Sequence, residues 1–95
     1  MILPVGDMPS GYSWTGFQSL QGNEGYILVF REMHPDSTAL LSTHIQPGQK
    51  VIFQSLSGEG ENFEGTANSC GQVRFKLGEE FSFGLYRYRI ARTGG

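Results

Sequence analysis

Turn-forming residues divide this chain into short segments, and their spacing constrains the fold more than any other feature. The 95 residues include 14 glycines and 4 prolines, and the turns they favour separate strand candidates spaced about every ten residues, as in sandwiches and barrels. An amphipathic helix needs a longer run with an apolar residue at about every third or fourth position, and the sequence holds no such run. The chain is therefore expected to be all-β, a single antiparallel β-sandwich of about seven to eight short strands.

The length sets the domain organisation. A chain of 95 residues makes one domain, and we expect residues 13–92 to form the sandwich. Residues 1–12 are rich in glycine and proline and are expected to be an entry segment or linker. Residues 93–95 are expected to be a tail. A domain of this size buries only about 60% of the surface of its unfolded chain. Its core is thin, and little room remains for a deep enzyme pocket.

Residues 26–30 and 73–77 carry the strongest strand signals. The first run reads Tyr-Ile-Leu-Val-Phe and is apolar throughout, which favours a central strand covered on both faces. The second run alternates between apolar and basic residues, which is typical of a strand with one buried and one solvated face.

The last strand candidate covers residues 81–90, and its apolar pattern changes phase midway. Apolar side chains occupy odd-numbered positions as far as Leu85 and even-numbered positions from Tyr86. This change predicts a bulge near Gly84, or a strand whose second face, with Tyr86 and Tyr88, meets another surface.

No catalytic or metal-binding constellation is recognisable. Cys70 is the only thiol, and it lies in a turn without a basic neighbour to activate it. His34 and His44 lack the spacing of metal ligands. The glutamates within residues 59–64 and 79–80 are interpreted as charged turns rather than as a pair of glycosidase carboxylates. We therefore expect no catalytic residue, no metal and no cofactor in this chain.

The charge balance argues against two classes of partner. Seven basic and nine acidic residues leave a net charge of −2, so no basic excess attracts nucleic acid. Arg87, Arg89 and Arg92 are interpreted as a solvated strand face and tail. No apolar run approaches the roughly 18 residues that a membrane span needs. Neither nucleic acid nor a membrane is expected as a partner.

Aromatic residues concentrate near the N-terminal end and suggest a binding platform. Tyr12, Trp14 and Tyr26 are candidates for stacking on a sugar ring, helped by the polar side chains of Gln18 and Asn23. The alternative is that Trp14 anchors the core or a domain interface, because a thin sandwich needs its large side chains inside.

The order of strands and turns follows a family pattern. The stretches that carry it are residues 14–19, 24–31, 46–51, 56–58, 71–75 and 83–90. They include a Pro-Gly turn, a Leu-Ser-Gly turn and a late strand that begins just after a glycine. Over about residues 14–90, this order resembles the C-terminal β-sandwich of α-galactosidase-like glycoside hydrolases, the melibiase group.

The resemblance implies a non-catalytic accessory domain. The catalytic aspartates of that family belong to its barrel, and no stretch of this chain corresponds to the barrel. The implied partner is the catalytic barrel of the same parent protein, with Tyr86 and Tyr88 as the expected domain interface. Two alternatives remain open. One is a carbohydrate-binding module that uses Trp14 with Tyr12 or Tyr26, and the other is a protein-interaction sandwich of the fibronectin type.

Overall fold

A computed structural model describes residues 2–6, 14–33 and 35–91. These residues form eight strands and no helix, which confirms the all-β class. The strands are β1 (Ile2–Gly6), β2 (Trp14–Ser19), β3 (Glu24–Arg31), β4 (Thr38–Ser42), β5 (Lys50–Gly58), β6 (Phe63–Thr66), β7 (Gln72–Lys76) and β8 (Ser82–Ile90). Within these ranges nothing resembles a membrane-crossing helix.

The strands form two antiparallel sheets of unequal size. The large sheet has six strands in the order β1-β2-β3-β8-β5-β6, and the small sheet pairs β4 with β7. The small sheet packs on one face of the large sheet, so the predicted antiparallel sandwich is confirmed. The face of the large sheet that meets the small sheet is called the inner face here.

The core between the sheets is built largely from aromatic rings. Phe53 stacks on Phe63 with ring centroids 4.4 Å apart and meets Phe75 edge-on at 5.4 Å. Tyr86 meets Phe53 edge-on at 6.0 Å. Aromatic pairs of these geometries add about 0.5–1.5 kcal/mol each beyond the area they bury. Large aromatic rings thus fill much of the core of this short chain.

The predicted N-terminal linker is wrong at residues 2–6, which form β1. This strand pairs with β2 from Ile2 opposite Ser19 to Gly6 opposite Thr15, and Val5 is buried in the core. The predicted tail, residues 93–95, lies outside the described residues.

The central position of β3 is confirmed, but the prediction that both its faces are covered is wrong. Alternate residues of β3 are buried on the inner face, whereas Tyr26 and Phe30 are exposed on the opposite face. The small sheet covers one side of the large sheet only, and no described element lies on the other.

The phase change in β8 does not come from a bulge in β8. That strand pairs regularly with β3 through Gly84, and the register shift lies opposite it in β5, between Ser55 and Ser57. Alternation along β8 places Gly84 on the inner face, where the side chain of Tyr86 occupies the space that a Cβ would need. Phe83 and Leu85 lie on the uncovered face of the large sheet.

Candidate functional site

The structure does not form the predicted sugar platform around Trp14. Trp14 is only 1% exposed, because Trp14 and the buried Gln18 share the inner face of β2. A buried indole offers no face to a sugar ring, so the Trp14 hypothesis is wrong and its alternative, a core anchor, is correct. Tyr12 lies outside the described residues. Tyr26 alone is placed as expected, 47% exposed.

The expected domain interface at Tyr86 and Tyr88 is also wrong. Each of these residues is 1% exposed and belongs to the core of the chain itself. Burial raises the pKa of both phenols above the ordinary value of 10.0, and the nearby Glu61 carboxylate raises that of Tyr86 further. Tyr86 and Tyr88 share one face of β8 as predicted, but that face lies in the core and not at a domain interface.

The uncovered side of the large sheet carries exposed apolar side chains across four neighbouring strands. We call this surface the outer face, and its exposed members are Ile2, Phe17, Tyr26, Phe30 and Phe83. Phe30 lies opposite Phe83, and their ring centroids are 6.3 Å apart. Phe17 lies opposite Leu28, which lies opposite Leu85. The side chains therefore form continuous rows across the strands, not scattered apolar residues.

The centre of the outer face is apolar and slightly concave. A hollow of about 360 Å³ is lined by five apolar or aromatic residues and Ser19. The Ser19 hydroxyl already accepts a 2.8 Å hydrogen bond from the backbone N–H of Tyr26. If each whole side chain has about 200 Å² of surface, the five exposed members of the outer face together leave roughly 500 Å² of largely apolar surface. These five are Ile2, Phe17, Tyr26, Phe30 and Phe83. Patches of this size on monomers are often functional.

One margin of the outer face is charged. Arg87 lies opposite Tyr26, is exposed, and pairs with Glu24 at 3.7 Å. Arg89 lies opposite Glu24 and is exposed as well. The solvated strand face predicted for these two arginines is confirmed, and Arg92 lies outside the described residues. The apolar centre with a charged margin matches the anatomy of protein interfaces.

Phe81, the residue before β8, exposes its aromatic ring and has an unusual backbone conformation. Its φ is +53° and its side chain is 69% exposed. A bulky residue in the left-handed region costs roughly 1–2 kcal/mol. A glycine or asparagine would fit this turn better. The chain thus presents an exposed aromatic ring at a cost in stability, which is a pattern of binding surfaces.

The residues that were considered for chemistry do not come together. Among the described residues, no group of three or more His, Cys, Asp or Glu could hold a metal ion. Cys70 is exposed in a turn, with its N–H bonded to Asn68 Oδ1 at 2.9 Å. His44 Nε2 lies 2.9 Å from the Pro4 carbonyl, and His34 lies outside the described residues.

Sequence reasoning missed Phe17, Phe30 and Phe83 as surface residues. Two features of the sequence could have indicated them. Residues 26–30 have no polar face, and residues 81–90 carry apolar side chains at both odd-numbered and even-numbered positions. In an antiparallel sheet, such strands are covered on both sides or carry an interaction surface.

Comparison of this chain with protein-family models, curated proteins and solved structures finds no match.

Proposed function

We propose that this chain is a non-catalytic docking domain whose outer face packs against an apolar surface of a larger folded protein domain. One observation carries the proposal: the outer face is apolar across four neighbouring strands, β1, β2, β3 and β8. Antiparallel sheets with one face on a core usually carry a polar second face. An aromatic second face costs solubility and is explained when another surface covers it.

The size and composition of the face support a protein partner. A standard interface buries about 800 Å² on each partner, and an apolar centre of roughly 500 Å² with a charged margin fits inside that area. Phe17, Phe30 and Phe83 are rings without a hydrogen-bonding group, and aromatic side chains dominate the energy of protein interfaces.

The resemblance described above suggests the partner. It makes the catalytic barrel of an α-galactosidase-like glycoside hydrolase the proposed occupant of the outer face, with this chain as its accessory sandwich. The proposed contact surface is now Phe17, Phe30 and Phe83 instead of Tyr86 and Tyr88, which are buried. A protein-interaction sandwich with a different partner would use the same face.

A carbohydrate-binding module is the second candidate, favoured by one observation. Tyr26 is 47% exposed and has the charged pair Arg87 and Glu24 beside it, so a sugar on its ring would find polar groups on one side. The other neighbours of Tyr26, Phe17 and Ile2, offer no partners to sugar hydroxyls, and unpaired hydroxyls bind poorly. For this reason the protein partner is the stronger proposal.

The test is a calorimetric titration of this chain with a recombinant α-galactosidase-like barrel domain that lacks its own sandwich. We expect saturable binding that weakens at least about tenfold for Phe17→Lys and Phe83→Lys, because a lysine is poorly tolerated at an interface centre. The matched control is Leu40→Lys, which also replaces an exposed apolar residue, 46% exposed, but on the small sheet.

Two outcomes would overturn parts of this proposal. Absence of binding by the folded wild-type chain would remove the barrel as partner. Equal weakening by Leu40→Lys would remove the outer face as the contact surface. A parallel NMR titration with galacto-oligosaccharides separates the second candidate, because shifts confined to Tyr26, Arg87 and Glu24 would favour carbohydrate binding.

A further inference from the structure

A groove of about 660 Å³ opens between the free edges of β6 and β7. We call it the edge groove. Its walls are β6 with the preceding residues 59–62 on one side and β7, with Thr38 and Leu40 of β4 beyond it, on the other. The two strands follow each other in the chain but belong to different sheets. The outer face contributes none of the groove residues, so this site is independent of the function proposed above.

The free edge of β7 presents backbone groups that are ready to pair. Leu77 N–H donates to the Ser37 carbonyl at 2.9 Å, and Thr43 N–H donates to the Gly71 carbonyl at 3.0 Å. Because pairing alternates along an antiparallel ladder, odd-numbered residues of β7 bond to β4. The peptide groups of Arg74 and Lys76 therefore point away from β4, toward the groove side. No described strand pairs with that edge.

The floor of the edge groove is aromatic. Phe63, Phe75 and Tyr86 line it, and the Phe63 ring lies 5.6 Å from Phe75 and 5.5 Å from Tyr86. Phe63 is the half-buried member of this cluster. Tyr86 is only 1% exposed. Apolar side chains of an added strand would therefore lie against Phe63.

The two walls of the groove carry opposite charges. Arg74 and Lys76 are exposed on β7 and form no ion pair with a described residue. Glu59 and Glu61 lie on the opposite wall. Side chains of neighbouring antiparallel strands that lie opposite each other on one face interact directly, and opposite charges there are stabilising. A strand added to β7 would be favoured by acidic residues beside Arg74 and Lys76.

We propose that the edge groove binds an extended peptide of alternating apolar and acidic residues, which pairs with the free edge of β7 as an added strand. The peptide backbone bonds to Arg74 and Lys76. The apolar side chains of the peptide face Phe63, and its acidic side chains lie beside the two cations. Main-chain pairing supplies affinity in such complexes, and the alternate side chains supply specificity.

The test uses an end-capped synthetic peptide of alternating valine and glutamate, about seven residues long, which spans the five residues of β7 with one residue to spare at each end. Calorimetry measures its binding to the intact chain, and NMR measures amide hydrogen exchange. We expect the Arg74 and Lys76 amides to exchange at least about tenfold more slowly in the complex. The amides of Val73 and Phe75, already bonded to β4, should change little.

Two controls separate strand pairing from nonspecific attraction. Two further peptides carry N-methyl groups at alternate amides, one at the valines and the other at the glutamates. Each keeps its charges and side chains but loses the N–H donors along one edge of the extended peptide. One of these two peptides should bind at least about tenfold more weakly. Charge reversal at Arg74→Glu with Lys76→Glu should weaken the glutamate peptide and favour a valine–lysine peptide. Charge reversal at Arg87→Glu with Arg89→Glu, on the outer face, should leave binding unchanged.

Three results would overturn the proposal. Absence of peptide binding would leave Arg74 and Lys76 as charges that protect a sheet edge from pairing. Equal binding of both methylated peptides would exclude strand addition. Protection of the Arg74 amide in concentrated protein without peptide, together with dimers in sedimentation, would assign the edge to a second copy of this chain.

Discussion

Gln18 and Tyr88 meet inside the sandwich, where Gln18 Nε2 donates a 3.1 Å hydrogen bond to the Tyr88 hydroxyl. The same glutamine accepts a 3.0 Å hydrogen bond from the backbone N–H of His44, in the segment that follows β4. The Tyr88 hydroxyl in turn donates to the Ser19 carbonyl at 2.7 Å. One buried amide thus links two strands of the large sheet to the end of a small-sheet strand.

Replacement of this glutamine should be costly. Gln18→Leu leaves the His44 N–H without its acceptor and the Tyr88 hydroxyl without its donor, so we expect a loss of about 2–3 kcal/mol in the free energy of unfolding. Urea denaturation measures it. The matched control is Gln46→Leu at an exposed position, expected within about 0.5 kcal/mol of wild type. Similar losses for both variants would contradict the role given to the buried amide.

Gly84 is expected to tolerate no side chain. A Cβ there would lie 2.8 Å from the hydroxyl oxygen of Tyr86 and 2.9–3.0 Å from two of its ring carbons, and β8 is held between β3 and β5. Gly84→Ala should therefore lower the free energy of unfolding by about 1–3 kcal/mol through overpacking. Gly78→Ala, at a site with open space, should be neutral or slightly stabilising in the same urea experiment. Equal stability of the two variants would show that the Tyr86 ring moves freely.

The outer face should bind an apolar dye in the isolated chain. We expect Phe17→Lys to reduce the fluorescence of bound anilinonaphthalene sulfonate while it changes the free energy of unfolding by less than about 1 kcal/mol, because Phe17 is 53% exposed. Leu40→Lys, on the small sheet at the rim of the edge groove, should reduce the fluorescence much less than Phe17→Lys does. The patch would not be distinctive if both variants lowered the signal equally.

The backbone at Phe81 should be relieved by glycine. Its φ of +53° predicts that Phe81→Gly raises the free energy of unfolding by about 1 kcal/mol. Phe81→Ala removes the ring but keeps the Cβ, so it should bring no such gain. A more stable alanine variant would place the effect in the ring and not in the backbone.

The buried phenols should make the fold sensitive to alkali. Burial raises the pKa of Tyr86 and Tyr88 in the folded chain above the ordinary 10.0, so the unfolded chain loses these protons first. Stability from these groups is complete below about pH 10 and is lost as the pH rises through the folded-state pKa values. Urea denaturation across this window should show a decline, and Tyr86→Phe should make it shallower. A flat profile in the wild type would contradict the burial of both hydroxyls.

Much of the strand pattern is local and could be predicted from the sequence. The strict alternation of residues 73–77 corresponds to β7, in which Val73 and Phe75 are buried. β1 was missed because Pro4 argues against a strand in the interior of a sheet. It is allowed here because β1 is the edge strand of the large sheet, and edge position depends on the whole topology.

The candidate site could not be predicted in the same way. Both faces of β3 and β8 are apolar in sequence, with Phe30 and Phe83 on one side and Val29 and Tyr86 on the other. Which side is buried depends on where the small sheet packs, and that is a long-range property. Trp14 illustrates the same limit, because its aromatic character fits a platform or a core equally well.

The position of β8 has a consequence for how the chain reaches its native state. The last of the described strands in sequence is an inner strand of the large sheet, between β3 and β5. In the described part of the chain, no strand pairing joins the β1-β2-β3 unit directly to the β5-β6 hairpin, and β8 pairs with both. Contacts between residues so distant in sequence slow folding. The large sheet therefore cannot be completed progressively from one end of the chain, and its two halves join only when β8 inserts between them.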